Sequence, residues 1–278
     1  MKHFASTPPA WANAEALSVV VLLYDPAGPT LASGTVVAPD LILTAEHVAV
    51  GLATDSTGWS SLEVEGLTTR VRVEKHGDMD AAHGDWALLR LASPRFARFA
   101  PIHAPALDPS WSPKPGTELA LAGFALGFYA KPAIDVLAPT PAVTVHACEA
   151  PADDAVVVPS NDRVGKHAGP DARDAGGAPE ILEALRSRSE ECWYATGDRL
   201  DLGGMSGGAA WIRSPETGQP ELVGVFSSLV HTRVVELETT KFLGLTIATR
   251  ERMTPGLVYS IHRVPPELPA ILQAARAR

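Results

Sequence analysis

Residues 31–48, LASGTVVAPDLILTAEHV, contain two apolar, β-branched runs separated by the turn-forming pair Pro39-Asp40. Short β-branched runs bounded by turn residues are typical of antiparallel strands. The pattern continues on both sides of this stretch, in SVVVLLY at 18–24 and in the partly alternating run from Leu62 to Val73. The opening of the chain is therefore predicted to be all-β.

Further predicted strands form two groups on either side of a linker. WALLRLA (86–92) completes the first group, and the Pro-rich residues 93–116 show no helical period. The second group comprises ELALAGFALG (118–127), AVTVHACEA (142–150), ECWYATG (191–197), GGAAWI (207–212), ELVGVFSSL (221–229) and KFLGLTIAT (241–249). We expect an N-terminal extension at 1–17, a first half with linker at 18–115 and a second half at 116–278, with no internal repeat.

Three segments of the second half depart from the strand pattern. Residues 150–178 are rich in Asp, Gly, Ala and Pro, which predicts a mobile loop that either gates the substrate or is a tolerated insertion. PEILEALRSRSEE (179–191) starts with Pro and ends with Arg and Glu residues, so a short internal helix is predicted there. PPELPAILQAARAR (265–278) predicts a C-terminal helix.

Composition narrows the class of protein. The chain has 278 residues, 46% of them apolar, with 23 Gly, 24 Pro and a formal net charge of −9. Scattered Lys and Arg residues form no basic stripe for a phosphate backbone, so we expect no nucleic-acid partner. The apolar run Leu17 to Tyr24 is much shorter than a bilayer span. We expect no signal peptide, no membrane association and a cytoplasmic location.

Three short motifs carry candidate chemistry. They are TAEHVA (44–49), HGDWALLRL (83–91) and GGMSGGAAW (203–211). Taken alone, each has an ordinary structural explanation: a surface histidine, a turn aspartate and a Gly/Ser turn. Their joint occurrence in this order gives them weight.

In this order the motifs resemble the signatures of the chymotrypsin/trypsin-like serine peptidases, namely Thr-Ala-Ala-His, Asp-Ile-Ala-Leu-Leu and Gly-Asp-Ser-Gly-Gly. Residues 31–48 match the family's strand pair that ends at the catalytic His, residues 100–125 match its linker and the first strand of its second barrel, and residues 221–229 match its cleft strand. The resemblance implies two antiparallel β-barrels of the chymotrypsin type, with the active site in the cleft between them.

The resemblance also implies a catalytic triad. His47 would take the proton of the Ser206 hydroxyl, and Asp85 would be the buried carboxylate that orients the imidazole. Asp78 and Asp80 are weaker candidates because neither abuts the apolar strand. No cofactor or metal is expected.

The remaining implied site residues surround this triad. The backbone amides of Gly204 and Ser206 would form the oxyanion hole. Ser227 would bond the triad carboxylate, and the backbone of Ser227, Ser228 and Leu229 would pair with an extended substrate.

The primary specificity stays open at this stage. Counting back from the nucleophile places Leu200 at the pocket floor of the family, with Asp201 next to it. An apolar floor predicts an apolar residue on the acyl side of the cleaved bond, whereas Asp201 turned inward predicts Arg or Lys.

Three positions depart from the family pattern. Met205 replaces the Asp that pairs with a new N-terminal amine in zymogen-forming members, so activation by N-terminal insertion is not expected, as in many bacterial relatives. Glu46 stands where Ala is usual, and Val48 replaces a common cysteine. Cys192 lies at a position similar to that of a family cysteine, and Cys148 is the only other cysteine with which it could pair. The sequence does not decide whether these two cysteines form a disulfide. The loss of most family disulfides agrees with a reducing compartment.

The expected function is that of a regulatory intracellular serine endopeptidase acting on a protein or peptide substrate, with room for a regulatory partner protein. The alternative is a catalytically inactive trypsin-like interaction module. Only the unusual residues Glu46 and Met205 favour this alternative. A broad esterase is disfavoured because no Gly-x-Ser-x-Gly elbow between strand and helix is present.

Overall fold

The computed structural model describes residues 9–12, 17–27, 31–77, 84–108, 110–114, 116–124, 144–149, 156–159, 192–197, 204–242 and 245–276. The strands within these residues are β1 Val20–Tyr24, β2 Leu31–Ala38, β3 Leu41–Thr44, β4 Ser60–Val64, β5 Leu67–His76, β6 Ala87–Leu91, β7 Glu118–Gly123, β8 Thr144–Glu149, β9 Val156–Pro159, β10 Cys192–Gly197, β11 Ala209–Arg213, β12 Pro220–Phe242 and β13 Leu245–Arg263. The α-helices are α1 Glu46–Val50 and α2 Leu268–Arg276.

The first six strands close into an antiparallel barrel in the order β1-β2-β3-β6-β5-β4. Every residue of β3 and β6 is buried, which agrees with the continuous apolar runs in their sequences. The predicted run from Leu62 to Val73 is in fact a hairpin, because Glu65 and Gly66 adopt positive φ angles of 54° and 72° and reverse the chain.

The second barrel contains β7, β8, β10, β13, β12 and β11 in that order, and it closes because β11 pairs with both β7 and β12. Its core includes a second apolar cluster with Leu119, Leu121 and Met205. Strands β12 and β13 pair from Gly224↔Arg263 to Phe242↔Leu245, so they continue beyond the barrel as a two-stranded ribbon. Strand β9 adds to β12 within this ribbon.

The linker at 93–116 contacts both barrels. Its Ala100 amide donates to the carbonyl of Val36 in β2, and its Pro101 carbonyl accepts the amide of Leu222 in β12, each at 2.8 Å. A 3-10 turn, Ala104–Leu107, follows these contacts. The linker therefore fixes the barrels relative to each other.

The all-β fold of two antiparallel barrels with a C-terminal helix is confirmed. The strand β9 lies inside residues 150–178, where a loop was predicted, so that prediction is wrong for four residues. The predicted strand at 241–249 is divided between the end of β12 and the start of β13. The predicted helix at 179–191 lies outside the described residues. No helix in the described ranges has both the length and the apolar character needed to cross a bilayer.

Candidate active site

Strand pairing in the first barrel brings His47 and Asp85 together. Thr44, the last residue of β3, is paired with Ala87, the first residue of β6. In an antiparallel pair, the residues that follow one strand face the residues that precede its partner. Helix α1 starts immediately after β3, so His47 in its first turn reaches Asp85.

The carboxylate of Asp85 is fully buried and accepts three hydrogen bonds. Its Oδ2 atom lies 2.7 Å from Nδ1 of His47, and its Oδ1 atom accepts the backbone N–H of His47 at 3.0 Å. The Ser227 hydroxyl donates to Oδ2 at 2.5 Å. Burial raises the pKa of Asp85, but the hydrogen bonds and charge of His47 and the bond from Ser227 outweigh it and lower the pKa to about 2.

Exposure differs sharply within this pair. The side chain of His47 is 38% exposed, whereas that of Asp85 is 0% exposed. The imidazole can therefore meet a substrate, while the carboxylate behind it cannot.

The backbone of Asp85 is held from the second barrel. Its amide donates to Nδ1 of His262, near the end of β13, at 2.7 Å. Gly84 precedes it with a φ of 75°, a conformation that favours glycine.

The loop that carries Ser206 packs tightly on the first barrel. Gly207 has a φ of 82°, and a Cβ there would lie 2.2 Å from the carbonyl oxygen of Ser33, so only glycine fits. The Ser33 amide donates to the Ser206 carbonyl at 2.8 Å, and the Ser33 hydroxyl donates to the Gly204 carbonyl at 3.2 Å. Ser33 thus fixes the backbone on which Ser206 and Gly204 lie.

The hydroxyl of Ser206 donates to the backbone carbonyl of Ser227 at 3.2 Å. Among the residues that the structure describes, no hydrogen bond joins this hydroxyl to the His47 ring. Ser227 contacts both halves of the site, because its hydroxyl bonds Asp85 and its carbonyl bonds Ser206.

The structure brings His47, Asp85, Ser206 and Ser227 to one place between the barrels. Ser228 and Leu229 follow Ser227 in β12, where they are paired with Ser260 and Tyr259 of β13. The specificity candidates Leu200 and Asp201 lie outside the described residues, as do Asp78 and Asp80. Among the residues that the structure describes, no cluster of three or more His, Cys, Asp or Glu side chains could hold a metal ion.

The three residues that depart from the family pattern have structural roles. The Glu46 carboxylate lies 2.9 Å from Nδ1 of His76 in β5, an ion pair when that ring is protonated. Val48 is buried in the apolar core of the first barrel. Met205 is fully buried in the second apolar cluster.

Strand register decides the question of the two cysteines. Gly197 of β10 is opposite Cys148 of β8, and Cys192 lies five residues farther along β10. At about 3.3 Å per residue, this separates the two Cα positions by roughly 16 Å. A disulfide needs Cα atoms within about 7 Å, so these cysteines do not pair with each other.

Sequence reasoning missed two residues of the site, Ser33 and His262. Ser33 lies in the middle of an apolar strand, and its neighbours give no sign of a contact with residues more than 160 positions away. His262 lies in a strand that was not predicted beyond residue 249. Neither belongs to a local motif.

These features define a protein of the two-barrel, chymotrypsin-like class with a serine, a histidine and an aspartate between the barrels. The family model described as Trypsin matches residues 12–150, which is half of the chain and includes His47 and Asp85. The chain therefore belongs to the trypsin family.

One solved structure is similar to this chain in fold. It is an inactivated protease paralogue from the scabies mite, 12% identical, with a TM-score of 0.52 over 98% of this chain and 100% of the other. At this identity the similarity concerns the fold alone. No curated protein sequence matches the chain.

Proposed function

We propose that this trypsin-family chain is a serine endopeptidase that cleaves peptide bonds through an acyl-enzyme, with Ser206, His47 and Asp85 as its triad. The observation that carries the proposal is the buried Asp85 carboxylate bound to Nδ1 and to the backbone N–H of His47. A carboxylate with a pKa of about 2 is ionised at neutral pH and can only accept. Nδ1 of His47 then carries the proton, and Nε2 keeps a lone pair for use as a base.

The reaction uses that lone pair twice. Nε2 takes the hydroxyl proton of Ser206 as Oγ attacks the scissile carbonyl carbon, and the resulting imidazolium gives the proton to the leaving amine. A water molecule then attacks the acyl-enzyme while Nε2 takes its proton. Return of that proton to Oγ releases the acid product and restores Ser206.

The backbone amides of Gly204 and Ser206 are the proposed oxyanion donors. In the described part of the chain, no hydrogen bond occupies either of these amides. A preorganised donor of this kind stabilises the transition state by about 3 kcal/mol.

Before attack, the Ser206 hydroxyl must leave the carbonyl of Ser227. The proposed substrate pairs its own backbone N–H with this carbonyl, which would displace the hydroxyl. Rotation about a single side-chain bond then redirects the hydroxyl toward His47. The same hydrogen bond favours the second candidate function, a trypsin-like interaction module without turnover, if no substrate displaces it.

A fluorophosphonate probe and a peptide library separate the two candidates. We expect covalent labelling and peptide cleavage by the wild type, and neither by Ser206→Ala. The exposed Ser61 in β4 supplies the control Ser61→Ala, which should retain both. A folded wild-type chain that is neither labelled nor active would favour the interaction module. Cleavage after apolar or after basic residues would decide between the two specificity alternatives.

A further inference from the structure

Strand β12 has a short open stretch along one edge. Its other edge is paired with β13 from Gly224 to Phe242. The open stretch lies on the edge opposite β13. This edge pairs with β11 up to Val225, and Phe226 then exchanges hydrogen bonds of 2.8 Å with Gly207 and Gly208 of the loop that carries Ser206. From Thr232 to Val235 the same edge pairs with β9. Among the described strands, residues 227–231 therefore have no partner on this edge.

We propose that β9 limits the acyl side of the substrate, so that the enzyme acts on bonds within about five residues of a peptide's amino end. This inference rests on the proposed function, in which the acyl side pairs with Ser227 to Leu229. An extended substrate that continues along β12 reaches Thr232 after four or five residues, about 17 Å from the start. That position is already paired with Pro159.

Strand β9 and the substrate compete for the same backbone groups. An edge strand offers one row of N–H and C=O groups, and it pairs with one chain at a time. β9 runs antiparallel to β12 with Pro159 at the end nearer to Ser227. A longer acyl side must either displace β9 or turn away from β12, and both outcomes cost binding free energy.

The location of β9 gives a structural basis to the predicted gating role of residues 150–178. Four residues of that segment form the barrier, so substrate length and not residue type is the property they would control. This distinguishes the proposal from the choice of an apolar or a basic residue next to the cleaved bond.

The test uses the full chain and a series of amino-terminally blocked peptides that share one cleavage site. The residues before the cleaved bond increase from two to five and then to eight. We expect kcat/KM to rise up to four or five residues and to fall roughly tenfold between five and eight. A rate that stays level or keeps rising from five to eight residues would overturn the proposal.

Two variants assign the effect to β9. Replacing Val156–Pro159 by Gly-Ser-Gly-Ser should reduce the fall to less than about twofold. The same replacement of residues 239–242, at the far end of the ribbon, should leave the fall unchanged. A fall that persists after β9 is replaced in a folded variant would contradict the assignment.

A binding series separates this proposal from the proposed function. The Ser206→Ala chain is titrated with the same peptides, because this variant binds without cleaving. Affinity should fall between five and eight residues in this series too. If the wild type cleaves no peptide, the proposed function fails. The binding series still decides whether β9 closes the edge of β12, because an affinity that stays constant or rises from five to eight residues would overturn that proposal.

Discussion

His262 and Asp85 are joined across the two barrels by a hydrogen bond of 2.7 Å from the Asp85 amide to Nδ1 of His262. A backbone amide can only donate, so this nitrogen of His262 is unprotonated. A Cβ on Gly84 would lie 2.9 Å from the same nitrogen, which shows how closely the ring packs on the chain. His47 and Ser227 bind the carboxylate of Asp85, whereas His262 fixes its backbone.

We predict that His262 acts as a positioning residue. His262→Leu removes the acceptor and should lower kcat about tenfold with little change in KM, because Asp85 loses its fixed orientation. In His262→Asn, the side-chain oxygen can take the place of Nδ1 and should restore most of the rate. Steady-state kinetics on a short peptide, with melting temperatures for both variants, measure this. Equal losses of kcat in the two variants would indicate a merely structural residue.

We predict that Ser33 maintains the proposed oxyanion hole. Its buried hydroxyl donates to the Gly204 carbonyl and accepts the Phe124 amide at 2.8 Å. Ser33→Ala leaves the buried Phe124 amide without this acceptor, at a cost of about 1–3 kcal/mol in stability. It also frees Gly204, so kcat should fall about tenfold while KM changes little.

A variant at another buried serine separates the effect of the Ser33 hydrogen bonds from the general effect of removing a buried hydroxyl. Ser60 is a buried serine of β4, and Ser60→Ala should change stability without changing kcat. Urea denaturation and peptide kinetics on both variants give the comparison. A Ser33→Ala enzyme with wild-type kcat would remove Ser33 from the site.

The proposed triad residues could be located in the sequence because His47, Asp85 and Ser206 lie in three short motifs whose joint order resembles the signatures of the trypsin-like family. An apolar run before His47, an apolar run after Asp85 and glycines around Ser206 specify two strand ends and a tight turn. In the closed barrel β3 and β6 are neighbours, and their pairing brings His47 and Asp85 together. The all-β class and the two groups of strands were predictable from short apolar runs separated by turn residues, whereas the two barrels were implied by the resemblance to the family.

The contacts from distant strands were not predictable in this way. The bonds of Ser33 and His262 depend on how the two barrels pack, which no local pattern encodes. The ribbon was missed because residues 230–240 and 250–256 contain many charged and Thr residues, and their strand conformation depends on pairing with each other. The run from Leu62 to Val73 is divided into two strands by the positive φ angles of Glu65 and Gly66. Of these two residues, only Gly66 is of a type that indicates a turn in the sequence.

We predict that Met205 cannot be replaced by the family's aspartate. Met205 is fully buried among apolar residues of the second barrel. Met205→Asp would bury an unpaired carboxylate and should destabilise the fold by about 3 kcal/mol or more. Met205→Leu keeps the volume and should cost less than about 1.5 kcal/mol. Urea denaturation measures both, and an undiminished stability of Met205→Asp would reveal a cationic partner at this position.

We predict that Asp85 makes the stability of the fold dependent on pH in acid. Its pKa is about 2 in the folded chain against an ordinary value of 3.8, so the unfolded chain binds the proton more readily. The stabilisation is therefore complete above about pH 5 and is lost as the pH falls toward 2. From the two pKa values, the loss is about 1 kcal/mol at pH 3 and about 2 kcal/mol at pH 2. Asp85→Asn cannot titrate, so the difference in unfolding free energy between wild type and variant should shrink by these amounts.

Urea denaturation of both chains at pH 6, 4 and 3 measures this difference in unfolding free energy, with circular dichroism to verify that each chain is folded at the start. A difference that stays constant from pH 6 to pH 3 would show that the His47 and Ser227 hydrogen bonds do not hold the carboxylate in its ionised form.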